Sequence, residues 1–174
     1  MQIIQHQELA SAQASLTFSA LPQTFTDLLI VTSCRTAHTG PIWDSIRFSF
    51  NGVNTNQTNR YLYGDGASAA SAAESTALIG FGASSNSSTS NTFSNASAYI
   101  PNYTAATAKS ISSEGVAENN GTTGGQIIIA NLWNSTAAIT SITLTPNSGT
   151  NFLQYSSATL YGITKGSDGI VTVS

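Results

Sequence analysis

Ser45-Ile46-Arg47-Phe48-Ser49-Phe50, closed by Asn51-Gly52, decides the fold class. Ile46, Phe48 and Phe50 fall on every second position with polar residues between them, the period of a strand that has one face in a core and the other in water. Asn-Gly tolerates the positive φ of a tight turn, so the strand ends there. The same period recurs on both sides. Upstream, Ser15-Leu16-Thr17-Phe18-Ser19 puts Leu16 and Phe18 on one side until Pro22 stops it, and Asp27 to Thr36 is apolar on both faces, as the centre of a sandwich requires. Downstream, Arg60-Tyr61-Leu62-Tyr63 runs into the turn residues Gly64-Asp65-Gly66, and Ser94 to Ile100 carries Ala96, Ala98 and Ile100 on one side before Pro101. Gln126 to Trp133 places Ile127, Ile129, Asn131 and Trp133 on one face and Ile128, Ala130 and Leu132 on the other, which predicts a further central strand. Leu78 to Phe81, Lys109 to Val116, Ala138 to Thr145, Ala158 to Ile163 and Gly169 to Val173 complete the set, while Ala67 to Ala77 fits a short helix or an extended loop equally.

The sum is about nine to eleven short strands with no amphipathic helix of normal length and no repeat of fixed period. The predicted fold is all-β, a jelly-roll-like antiparallel β-sandwich with little helix, one domain across residues 1–174. Residues 1–9 read as an N-terminal arm and residues 82–95 as a flexible Ser/Asn-rich loop.

Only 7% of the residues are charged, against about 25% in an ordinary globular chain. Ser, Thr, Asn and Gln take their place. With a formal charge of −3 and no basic patch interleaved with aromatics, neither nucleic acid nor a membrane is expected as a partner. No stretch approaches the roughly 18–20 apolar residues of a spanning helix. The opening Met1-Gln2-Ile3-Ile4-Gln5-His6 has neither a basic start nor a continuous apolar run, so synthesis and folding in a cytoplasm are predicted. Cys34 is the single cysteine and reads as a small buried hydrophobe.

Catalysis requires scarce residue types to be gathered in one place. The chain has eight acids, five Lys and Arg and two His, and most of them sit in predicted turns or at strand ends. Asp44 with Asp65, or Glu114 with Glu118, are nameable as a carboxylate pair for glycan hydrolysis, yet nothing in their spacing selects them. Cys34 and His38 lack the second pair that a structural zinc site needs. Gly64-Asp65-Gly66 and Asp168-Gly169 lack the run of acids of a calcium loop. No catalytic residue, metal or cofactor is therefore expected, and no enzymatic activity. Among the aromatics, Trp133 and Tyr161 read as core. Trp43, Tyr61 and Tyr63 lie near loops and are the candidates for a contact surface. Ile3 and Ile4 join them, because an arm that adds a strand to a neighbour would bury both.

Four stretches carry a resemblance: Ala14-Ser15-Leu16-Thr17-Phe18 through Leu21-Pro22-Gln23-Thr24-Phe25-Thr26-Asp27-Leu28 to Arg35; Ile46-Arg47-Phe48-Ser49-Phe50-Asn51-Gly52 with Tyr61; Ile100-Pro101-Asn102-Tyr103; and Ser157-Ala158-Thr159-Leu160-Tyr161-Gly162-Ile163. In these the chain resembles a diffuse family of tailed-bacteriophage virion proteins, many of them from phages of cyanobacteria and marine bacteria. The resemblance implies a jelly-roll-like sandwich on the phage particle. It further implies a capsid cement or decoration protein, a homotrimer bound to the major capsid protein on the outside of the shell and made in the host cytoplasm. The alternative it leaves is a tail- or fibre-associated receptor- or glycan-binding module, with Trp43, Tyr61, Tyr63 and the loop from Gly82 to Asn95 turned toward a sugar.

Overall fold

The computed structural model describes residues 1–74, 78–121 and 123–165. It contains twelve strands: β1 (Gln2–Glu8), β2 (Leu16–Phe18), β3 (Asp27–Ser33), β4 (Trp43–Phe50), β5 (Gln57–Gly64), β6 (Ala69–Glu74), β7 (Leu78–Ser84), β8 (Asn95–Ile100), β9 (Lys109–Ala117), β10 (Gly125–Trp133), β11 (Ile142–Pro146) and β12 (Ser157–Ile163). No helix occurs among the described residues. The strand expected over Gly169 to Val173 lies outside them.

One sheet has eight strands in the order β1-β12-β3-β8-β9-β10-β5-β6, and the other has four in the order β2-β11-β4-β7. With the hairpins β5–β6 and β9–β10 set aside, the other eight strands nest. The first pairs with the last (β1 with β12), the second with the next to last (β2 with β11), then β3 with β8 and β4 with β7, alternating between the sheets. This is the winding of a jelly roll. The two remaining hairpins pair with each other through β5 and β10 and extend the large sheet beyond β8.

Alternation in the sequence becomes alternation in burial. Ile46, Phe48 and Phe50 of β4, with Leu16, Phe18, Ile142 and Leu144 beside them, are buried on the inner face of the small sheet. Opposite them the large sheet presents small residues, Ala96, Ala98 and Ala158, among Leu28, Ile30 and Leu160. Bulky rings against alanines fill the gap at crystal-like density, and each fully buried Phe or Leu contributes about 1.5–3 kcal/mol. Asn51 and Gly52 take φ of 55° and 73°, and Phe50 and Val53 exchange backbone hydrogen bonds across them, the two-residue turn that Asn-Gly announces.

Three segments differ from the sequence reading. Residues 1–9 do not reach out as an arm: Gln2–Glu8 is an edge strand of the chain's own sheet, and Gln5 and Gln7 donate side-chain hydrogen bonds to Ser19 O and Thr17 O beside β2, tying the two sheets together. Ala69–Glu74 is neither helix nor loop but an edge strand held by the β5 backbone. Residues 82–95 end β7, start β8 and, between them, form a loop fastened around a buried arginine (below) rather than a loose tether.

Candidate functional site

The three aromatics singled out in the sequence converge. Trp43, Tyr61 and Tyr63 line one cleft of about 290 Å³, formed where the added hairpins pass the β7 edge of the small sheet. Tyr61 and Tyr63 are two apart on β5, so both stand on the face that carries the buried Gln57 and Asn59 further along the strand. Their ring centroids are 6.1 Å apart with 40° between the planes. Trp43 starts β4 on the other wall, its indole so close over Gly125 that a Cβ there would come within 2.6 Å of Cε3. Glu74, Ser45 and Asn147 add polar groups to the rim, and Asn147 Oδ1 accepts a hydrogen bond from Arg47 Nε. Burial pushes the Tyr61 phenol above its ordinary pKa, helped by the charge of Glu74 and by Tyr63. From the segment 82–95, Gly82 lines the cleft.

Ile3 and Ile4 lie elsewhere. Ile3 is 58% exposed on the outer side of β1 opposite Tyr161, while Ile4 packs part-buried against the core. Tyr161 is itself half-buried on that outer side, whereas Trp133 is in the core as read, tilted against Phe50 at 5.2 Å.

The acids considered for chemistry hold backbone. Buried Asp44 accepts from Thr36 Oγ1 and from the N–H groups of Ser45, Ser148 and Gly149. Asp65 accepts from Ala67 N and Ser68 N, and Glu118 from Asn119 N and Asn120 N, each closing a turn. Glu114 lies on the outer face of the large sheet, hydrogen-bonded to Ser97. Among the described residues no three His, Cys, Asp or Glu side chains gather into a metal site. Cys34 is fully buried, and burial pushes its thiol up to about 12.

Sequence reasoning read most charged residues as polar positions in turns or at strand ends, and the structure buries two cations instead. Arg35 and Lys109 are 6% and 1% exposed. The Arg35 guanidinium donates to the carbonyls of Asn86, Ser88, Thr89 and Thr92 at 2.7–3.2 Å, so the 85–94 loop encircles it. Lys109 Nζ donates to Ala105 O and Ala137 O at 2.8 and 2.6 Å and lies 5.6 Å from the Trp133 ring centroid. Burial lowers the pKa of both. Neither cation is printed in its local spacing, because its acceptors are main-chain oxygens of remote loops.

The outer face of the large sheet exposes aliphatic side chains among polar ones such as Arg60, Ser112 and Glu114. Leu62 (62% exposed), Ile128 (57%), Val116 (41%) and Leu132 (38%) stand on neighbouring strands β5, β10 and β9. At the other end of the same face Tyr99 donates its phenol to Asp27 Oδ2 at 2.6 Å. That bond, then burial and the charge of Asp27, raises the Tyr99 pKa from 10.0 to about 12. The folded protein thus holds this proton more tightly than the unfolded chain. The resulting stability is complete below pH 10 and disappears as the pH rises through about 12. Urea titrations between those limits should show wild type losing stability more steeply than Tyr99→Phe, and parallel curves would refute the linkage.

Comparison of the chain with family models, curated proteins and solved structures finds no match.

Proposed function

We propose that this chain is a structural protein of a tailed-phage particle, a cement or decoration subunit that binds and stabilises the shell of major capsid protein. It works by contact, as a homotrimer on the capsid exterior, after synthesis in the host cytoplasm. The observation that carries the reading is the exposed aliphatic row Leu62, Ile128, Leu132 and Val116 on the outer face of the large sheet. Ile128 and Leu62 stand directly opposite each other on β10 and β5, and exposed aliphatic groups so paired are stabilised by being covered by another protein surface. The four resembling stretches and the nested strand order support the same reading, and a surface poor in charge makes contacts that salt weakens little. Ile3, exposed on β1, an edge strand among the described residues, offers a second contact.

Light scattering of the purified protein should give a trimer mass, and the protein should coat shells that lack it. Ile128→Asp with Leu62→Asp should abolish coating while the circular dichroism of the monomer is kept. A wild-type monomer that ignores such shells would refute the proposal.

The aromatic cleft favours a second reading, a tail- or fibre-associated receptor- or glycan-binding module. Labelling of the protein in intact particles separates the two: signal over the whole shell selects decoration, and signal at one vertex selects the tail.

A further inference from the structure

We infer that the cleft between Trp43, Tyr61 and Tyr63 binds a neutral hexopyranose unit of a glycan, by ring stacking and by hydrogen bonds to Glu74 and Asn147. The inference rests on the glycan-binding reading and adds the place and the class of sugar. One face of a pyranose ring is a set of C–H groups with slight positive charge, which packs on the negative face of an aromatic ring while the hydroxyls stay at the rim. The 40° tilt between Tyr61 and Tyr63 makes a concave wall rather than a flat stack. Trp43 is backed by the main chain at Gly125, so its ring loses little freedom when a ligand arrives.

Room and charge narrow the ligand. Gly64, Gly82, Gly115 and Gly125 all line the cleft; Gly125 lets the Trp43 ring seat against the main chain, and at Gly82 a Cβ would meet no atom closer than 3.8 Å. Its 290 Å³ sits at the lower edge of the range for small-molecule sites, about 300–1,000 Å³. That suits one sugar ring rather than a long chain held end to end. Among the described residues the lining contains one carboxylate, Glu74, and neither Lys nor Arg. An acidic sugar would meet that carboxylate without a counter-charge, whereas a neutral one offers hydroxyl donors to it in charge-assisted hydrogen bonds. Asn147 is oriented by Arg47, and its amide gives one N–H toward Ser148 Oγ at 3.4 Å, which leaves the second for a sugar oxygen. Hydrolysis would need two carboxylates across the bond. One carboxylate and three rings make a binding site.

The test uses the whole protein on an array of neutral and acidic oligosaccharides. It is then titrated with methyl glycosides of glucose, galactose and mannose and with N-acetylneuraminic acid, followed by saturation-transfer NMR and amide shift mapping. The expected result is a neutral sugar bound with a Kd on the order of 1 mM for a single ring, with shifts at Tyr61, Tyr63, Gly82 and Gly125. Tyr61→Ala should weaken it about tenfold, the loss of one stacked ring. Gly82→Ala should weaken it as well without disturbing the fold, because the new methyl would meet no protein atom closer than 3.8 Å. Thr58→Ala, on the opposite face of β5, should bind like wild type. Neutral sugars bound equally by wild type, Tyr61→Ala and Gly82→Ala would overturn the site and leave the glycan-binding reading standing. Acidic sugars bound alone would overturn the neutral class, and an array with no glycan retained would overturn both the inference and the reading beneath it.

Discussion

Arg35→Ala lowers stability by about 3–5 kcal/mol, a large part of the roughly 5–15 kcal/mol that holds a domain of this size. The reason is the asymmetry of a buried hydrogen-bonded charge. The guanidinium satisfies the carbonyls of Asn86, Ser88, Thr89 and Thr92 together with Thr92 Oγ1, and alanine would leave all of them facing a hole. Among the described residues no carboxylate shares in these contacts; the charge is held by main-chain carbonyls and the Thr92 hydroxyl. Arg35→Lys keeps the charge but brings three donors on one point where a planar fork spans four carbonyls, and it should lose about half as much. Urea unfolding measures the loss, and hydrogen exchange locates it. The amides of Ser85, Asn86 and Ser94, bonded to Ile42 O, His38 O and Cys34 O, should open far faster in the variant. A loss under about 1 kcal/mol, within the range of ordinary surface substitutions and single exposed contacts, with those amides still protected, would contradict the account.

Asp44→Ala is the second large effect, about 3 kcal/mol. Its carboxylate accepts four hydrogen bonds, three of them from part-buried backbone N–H groups that lose their protein acceptor once it is gone. Asn at this position keeps one acceptor oxygen but turns an NH2 group toward donors, so Asp44→Asn should recover less than half of the loss. Gly149→Ala probes the same knot from the other side. A Cβ there would stand 2.9 Å from His38 N and 3.2 Å from Asp44 Oδ2, and the loop would have to move. Thermal unfolding of the three variants should show all of them destabilised; an unchanged midpoint for Asp44→Ala would dismiss its role as the clasp.

The elements legible in the sequence are those whose burial is set by their own side chains. β4 and β8 alternate, and each lies where its apolar face indicated; β10, read as central and apolar on both faces, does lie between β9 and β5 but leaves Ile128 and Leu132 exposed. β6 was illegible because alanine and serine on a strand exposed on both faces leave no period to read. β1 was read as an arm adding a strand to a neighbour because Ile3 and Ile4 want burial, and no local mark names its partner, which is the chain's own β12. The candidate site was half legible. Aromatics beside loops pointed to Trp43, Tyr61 and Tyr63, yet their meeting depends on two distant hairpins pairing through β5 and β10, and that gave no local mark. Glu74 and the cleft glycines were missed for the same reason.

The nesting of strands also governs how the chain reaches this state. β1 has its partner in β12, with Gln2 opposite Gly162, so the outermost seam cannot be sewn until Gly162, 160 residues further along, has left the ribosome. Such distant pairings pay the closure entropy of long loops before any reward, and chains of this kind fold in milliseconds to seconds rather than microseconds. Through that delay the nascent β3, bare on both apolar faces, must be kept from its neighbours by dilution or by a chaperone.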